Sequence, residues 1–127
     1  MNLALWICAG LLATVALMGG ITKTFVPREK LATAPGGAWT GEISAGFVKT
    51  LGALEILAAA GLILPAVLDI APVMVPVTAI CWIALMVGAM ITHFRHGEPM
   101  LVAVNLAYLA LAVFVAWGRL GPETFIG

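Results

Sequence analysis

Four long apolar stretches follow one another along the chain, separated by segments that contain proline, glycine or charged residues. Each stretch is close to 20 residues long, and a helix of that length spans the roughly 30 Å hydrocarbon layer of a bilayer. None of them shows the regular alternation of polar and apolar residues that a membrane β-barrel requires. We therefore predict membrane helices over about 3–22, 44–64, 72–92 and 99–118.

The predicted fold is an all-α integral membrane protein: an antiparallel four-helix transmembrane bundle with up-down-up-down topology, formed by residues 1–127 as one domain. We expect Pro65 to mark the end of the second helix. Pro72 and Pro99 are expected to begin the third and fourth helices, because proline is tolerated where no amide donor is needed.

The first connection, residues 23–43, is long for a helical bundle. It contains Pro35-Gly36-Gly37, which breaks any helix, and Trp39, a residue typical of the membrane interface. Two interpretations stay open for this segment: a folded cap at the interface and a flexible loop.

Composition supports the assignment to the membrane. Hydrophobic residues make up 63% of the 127 residues and charged residues only 9%, which is far from the composition of soluble domains. Six basic and six acidic residues cancel, so the chain offers no basic surface for nucleic acid. The sequence contains no recognisable catalytic motif and does not favour an enzyme.

The distribution of basic residues predicts the orientation of the bundle. Connections 23–43 and 93–98 lie on one side and hold Lys23, Arg28, Lys30 and Arg95, whereas the opposite side holds Arg119 alone. Because cytoplasmic loops are enriched in Lys and Arg, we expect both connections in the cytoplasm and both termini outside.

Two charged residues interrupt the second apolar stretch. A charge within a membrane helix costs about 3 kcal/mol on insertion, so each of them needs a reason to be there. Lys49 lies about 8 Å from the predicted start of its helix and can extend back toward the headgroups. Glu55 lies about 16 Å deep and must be paired, protonated or turned toward a polar cavity.

The fourth stretch supplies polar residues at matching depth. Asn105 and Tyr108 lie about 9 and 14 Å from Pro99, on one face of the helix. We predict that they cluster with Lys49 and Glu55 inside the bundle. The cluster has two interpretations: a ligand-binding or proton-responsive pocket, and a set of hydrogen bonds that only holds the helices together.

The third connection contains His93 and His96, with Glu98 nearby. Two histidines at this spacing are too few for a metal site, and we predict none. We interpret the segment as a polar helix end, with His93 as a proton relay at the mouth of the pocket.

The chain resembles the DoxX-like family of small bacterial membrane proteins. The resemblance is carried by residues 48–57 (VKTLGALEIL), 61–65 (GLILP), 86–89 (MVGA), 93–98 (HFRHGE), Asn105 and 115–119 (VAWGR). It implies a four-helix bundle in the bacterial cytoplasmic membrane.

The resemblance also suggests a function. DoxX and DoxD relatives are associated with thiosulfate:quinone oxidoreductase, and actinobacterial members with a membrane oxidoreductase complex. We therefore expect an accessory subunit of a membrane-linked redox system that binds a quinone or another small lipophilic molecule, with the lipid bilayer, redox-complex proteins and a second copy of the chain as partners. An animal relative that assists receptor assembly implies the alternative, an assembly or interaction protein with no small-molecule ligand.

Overall fold

The computed structural model describes residues 1–34 and 36–124, so Pro35 lies outside the described residues. Its elements are α1 Asn2–Phe25, α2 Arg28–Thr33, a 3₁₀ helix Ala38–Glu42, α3 Ala45–Val67, α4 Met74–Arg95 and α5 Pro99–Leu120. The four long helices are each long and apolar enough to cross a membrane. The predicted all-α four-helix bundle is confirmed.

The helices extend beyond their predicted ends. The apolar run ends before Thr22, but Thr22, Lys23 and Thr24 are still helical, and α1 continues to Phe25. Pro65 does not end α3, which continues to Val67. A proline so close to the end of a helix disturbs only the last turn, so the helix tolerates it.

The start of α4 also differs from the prediction. Asp69 and Ala71 adopt positive φ angles of 54° and 47° in the turn after α3, and this turn displaces the first helical residue to Met74. Pro72 therefore lies in the turn. Pro76 falls in the first turn of the helix, where its missing amide hydrogen costs nothing.

The long helices pack as two antiparallel pairs, α1 with α3 and α4 with α5. The first pair is closest at Gly20 and Gly52: a Cβ atom added to Gly20 would lie 2.7 Å from the carbonyl oxygen of Gly52. Small residues permit such backbone contact, which helices in lipid use for association.

Most of the largest fully buried apolar side chains lie at the end of the bundle where α1 begins and α5 ends, which we call the termini end. They include Leu5 and Leu12 from the first half of α1, Leu62 from the end of α3, Val75 from the start of α4 and Val115 from the end of α5, whereas Val48 at the start of α3 is buried near the other end. The opposite end, which we call the cap end, is packed differently and contains a cavity.

A folded segment covers the cap end. We call α2 together with the 3₁₀ helix the cap. Its buried side chains are Leu31 and Thr40, and the Thr40 hydroxyl donates to the Gly37 carbonyl at 2.7 Å. The Arg28 guanidinium donates to the Ile43 carbonyl at 2.6 Å and thereby joins the beginning of the cap to its end.

Candidate functional site: a cavity beneath the cap

A cavity of about 780 Å³ lies at the cap end, lined by α1 and α3 on one side, α4 and α5 on the other, and the cap. Its volume falls within the range of small-molecule binding sites. Trp82 and Met86, which belong to the hydrophobic core, form its deep end. Most of the wall is apolar, and the polar groups are concentrated in three places: the α1–α3 wall, the α4–α5 wall and the rim.

The α1–α3 wall carries an ion pair. The Nζ atom of Lys23 lies 2.9 Å from Oε1 and 3.0 Å from Oε2 of Glu55, so one ammonium holds both carboxylate oxygens. Glu55 is 6% exposed and packs against Gly19 of α1, where an added Cβ atom would lie 3.2 Å from Oε2 of the carboxylate. The Lys23 ammonium also lies 6.0 Å from the centroid of the Trp39 ring in the cap, a distance at which cation and ring attract.

Lys49 does not belong to this cluster, which corrects the sequence prediction. It is exposed on α3, and its ammonium donates to the Thr24 carbonyl at 3.0 Å. The charge of Glu55 is compensated by Lys23 instead, because α1 remains helical for one turn past its apolar run and presents Lys23 to α3.

The α4–α5 wall brings Asn105 and Tyr108 to the cavity. Trp82 joins them from α4 and is 2% exposed. Within residues 1–34 and 36–124, no acceptor lies within hydrogen-bond distance of Trp82 Nε1 or Asn105 Nδ2, although both atoms are buried. We call these two atoms the donor pair. Buried donors of this kind carry a desolvation cost of about 1–3 kcal/mol each.

The rim is formed by the turn between α4 and α5. His93 Nδ1 lies 3.0 Å from Oε1 of Glu98. His96 joins the turn to the cap: its Nδ1 lies 2.8 Å from the Thr92 carbonyl oxygen and its Nε2 lies 3.1 Å from Oε1 of Glu42. In the part of the chain that the structure describes, no three His, Cys, Asp or Glu residues group as metal ligands.

Hydrogen bonding and charge act on His96. Its bond to the Thr92 carbonyl raises the pKa of His96 above the ordinary 6.5. Desolvation opposes this effect, and the carboxylates of Glu42 and Glu98 raise the pKa further. The contact between the cap and the rim is therefore strongest when His96 is protonated.

Sequence reasoning missed two contributors to the site. Lys23 falls in the predicted first connection, whereas it lies on α1 and lines the cavity. His96 was interpreted as part of a polar helix end, whereas it contacts the cap. The signal that could have found Lys23 is its place one helical turn past Gly19 and Gly20, which predicts that it faces the same neighbour.

A match to a known protein family covers part or all of each of the four long helices. The sequence profile of the DoxX-like family matches residues 7–115. The chain belongs to the DoxX-like family. The match begins in α1, ends in α5 and includes every residue that lines the cavity, from Val15 to Tyr108. No curated protein and no solved structure matches the chain. The resemblance noted in the sequence is thus confirmed, and the protein is a multi-pass membrane protein of this family.

Proposed function

We propose that this DoxX-like protein binds a small lipophilic molecule of the quinone class in the cavity beneath the cap, as an accessory subunit of a membrane-linked redox system. The observation that supports the proposal is the cavity itself. It combines a mostly apolar lining with polar groups on both of its walls and at its rim.

The chemistry of the lining favours a neutral ligand with a polar head. The only charges at depth, Lys23 and Glu55 among the described lining residues, neutralise each other and leave no net charge to attract an ion. Apolar walls favour a hydrocarbon ring or chain, and fixed polar groups orient its head. Glu55 and Lys23 face the head from one side, and Asn105 and Tyr108 face it from the other.

We further propose that the cap and the rim lie on the cytoplasmic side of the bacterial cytoplasmic membrane, with both termini outside. Lys23, Arg28, Lys30 and Arg95 are gathered at the cap end and support this orientation. Reporter fusions to each terminus test it. Activity of a periplasm-dependent reporter at both ends supports the orientation, and activity of a cytoplasm-dependent reporter contradicts it.

The decisive experiment fills the cavity. Ala89→Phe adds a ring to a residue that lines it, and Ala110→Phe adds the same ring to an exposed residue of α5 outside it. Binding of decylubiquinone to the full chain in nanodiscs is measured against empty nanodiscs. We expect saturable binding by the parent and by Ala110→Phe, and its loss in Ala89→Phe. No saturable binding by the parent, or equal binding by all three, contradicts the proposal.

Substitution of Glu55 provides a second test. If the carboxylate contacts the ligand head, Glu55→Gln and Glu55→Ala should lower the ligand-dependent gain in thermal stability, whereas Glu29→Gln in the exposed part of α2 should not. The alternative function, an assembly protein without a small-molecule ligand, predicts partner chains that co-purify equally with the parent and with Ala89→Phe.

A further inference from the structure

α3 and α4 separate toward the cap end. Phe47, Leu54 and Gly61 are spaced seven residues apart, so they form one line along α3. Gly61 packs against α4, because a Cβ atom added to it would meet the Thr78 side chain. Phe47 and Leu54 lie on the same line, yet they are 53% and 55% exposed. The two helices are therefore in close contact toward the termini end and lie apart toward the cap end.

The facing line of α4 borders the cavity. It consists of Thr78, Leu85 and Thr92, again seven residues apart, and Leu85 and Thr92 line the cavity. Leu54 and Leu85 lie at matching depth, about 14 and 15 Å from the cap ends of their helices. Phe47 of α3 also lines the cavity, although more than half of it is exposed. The space between the two helices is thus continuous with the cavity from this depth to the rim.

α4 contributes small residues to the edge of this space. Ala84 and Gly88 lie one helical turn apart, and both of them line the cavity and are exposed. Among the described atoms, nothing lies within 4 Å of a Cβ atom added to Gly88. The cavity therefore reaches the surface of the bundle between α3 and α4, at a depth where that surface faces acyl chains. We call this gap the lateral opening.

The seam between α1 and α5 is covered more completely. A Cβ atom added to Gly36 of the cap would lie 2.7 Å from Cδ1 of Leu101, so the cap rests on the first turn of α5. Met18 of α1 is exposed beside this seam, but its long side chain forms part of the wall, whereas α4 has only Ala84 and Gly88 at the lateral opening.

We infer that the lateral opening holds the hydrocarbon chain of a tailed quinone, whose ring occupies the cavity; the inference rests on the proposed function. A cavity of about 780 Å³ encloses a ring and a short chain, and a longer chain needs an outlet. Phe47, Leu54 and Ala84 present apolar groups to such a chain, and the outlet leads into the bilayer. The ligand enters and leaves sideways, and this route does not require the contacts between the cap and the rim to break.

The first experiment closes the lateral opening. Full-length protein in nanodiscs is titrated with decylubiquinone and with the same ring carrying a methyl group in place of the decyl chain, and both affinities are referred to the probe concentration in the bilayer. Gly88→Trp places an indole at the opening. Gly10→Trp is the matched control on α1, because nothing described lies within 4 Å of its added Cβ and it does not line the cavity.

We expect the affinity of decylubiquinone relative to the methyl analogue to fall about tenfold in Gly88→Trp, because the chain loses its apolar contacts in the opening. Gly10→Trp should keep the ratio of the parent. An indole that merely fills the cavity would weaken both probes alike. An unchanged ratio in Gly88→Trp, or an equal fall in both variants, therefore overturns the lateral opening as the site of the chain.

The second experiment uses the unmodified protein and does not depend on the folding of a variant. A decylubiquinone analogue with a diazirine on the chain near the ring is irradiated in the nanodiscs, and mass spectrometry locates the adducts that excess decylubiquinone suppresses. We expect them on Phe47, Leu54, Ala84 or Gly88. Suppressible adducts around Met18 or on the cap place the chain elsewhere and overturn the inference, while the proposed function stands. Failure of both probes to bind the parent overturns the proposed function itself.

Discussion

Lys23 and Glu55, 32 residues apart in the sequence, form a bifurcated ion pair that joins the last two turns of α1 to the middle of α3. The pair explains how a carboxylate is accommodated inside a membrane bundle. It also locates the charge in the wall of the cavity and not in its centre, so the remaining space stays suited to an uncharged molecule.

Removal of one partner of this ion pair should lower the free energy of unfolding. Lys23→Met leaves the Glu55 carboxylate buried without compensation, and we expect a loss of about 3 kcal/mol in the free energy of unfolding. Lys49→Met, which removes an exposed lysine from α3, should cost less than about 1 kcal/mol. Denaturant titration in detergent micelles measures both. The double substitution Lys23→Met with Glu55→Leu should recover much of the loss, and no recovery would show that the pair is not what Lys23 contributes.

The close approach of α1 and α3 should not tolerate a methyl group. Gly52→Ala places a Cβ atom 2.8 Å from the Gly20 carbonyl oxygen, so the helices must separate. We expect a loss of about 1–3 kcal/mol. Gly10→Ala in α1 is the control, because among the described atoms nothing lies within 4 Å of its added Cβ. Thermal unfolding followed by circular dichroism compares them, and equal melting temperatures would contradict the packing described.

The contact between the cap and the rim should depend on pH. The pKa of His96 is raised in the folded protein, so its contribution to stability is complete below the unfolded value near 6.5 and is lost as the pH rises through the folded value. Hydrogen exchange of the 3₁₀ helix should therefore be slower at about pH 5.5 than at about pH 8, after correction for the intrinsic rate.

A matched pair of substitutions tests whether the contact between His96 and Glu42 causes that pH dependence. Glu42→Gln removes the carboxylate that His96 contacts and should weaken the dependence, whereas Glu29→Gln should leave it intact. If hydrogen exchange of the 3₁₀ helix has the same pH profile in Glu42→Gln as in the parent, a group other than Glu42 is responsible for the pH dependence.

At the termini end, Trp6 and Arg119 should be energetically coupled. The Arg119 guanidinium carbon lies 5.8 Å from the centroid of the Trp6 ring, and its Nη1 donates to the Glu123 carbonyl at 2.9 Å. A double-mutant cycle with Trp6→Leu and Arg119→Met should give a coupling of about 1 kcal/mol. A coupling near zero would mean that ring and cation do not stabilise each other.

The sequence was sufficient for the fold because hydrophobic length is the dominant constraint in a bilayer. It also identified Glu55, Asn105 and Tyr108 as residues that turn inward, since lipid offers no partner for them. It failed for Lys49 because the choice of partner depends on how far α1 remains helical. Hydropathy measures where the apolar run ends, and a helix that emerges from the membrane continues past that point.

The sequence could not decide between a folded cap and a flexible loop for residues 23–43, and the reason is related. Its order depends on contacts with distant parts of the chain, such as Glu42 with His96 and Trp39 with Lys23. Local propensity over residues 23–43 carries no information about these partners. The donor pair could not be predicted from the sequence either, because only the folded structure shows that the surrounding helices supply no acceptor for these two atoms.

The position of the ion pair has a consequence for biogenesis. Both charges belong to the first hairpin, α1 and α3, so they can neutralise each other as soon as α3 leaves the ribosome, before α4 and α5 have entered the membrane. Entry of the isolated carboxylate into the bilayer would cost about 3 kcal/mol, and the hairpin avoids that cost by its own composition. The second hairpin can then be released laterally from the translocon against a neighbour that already carries no net charge at depth.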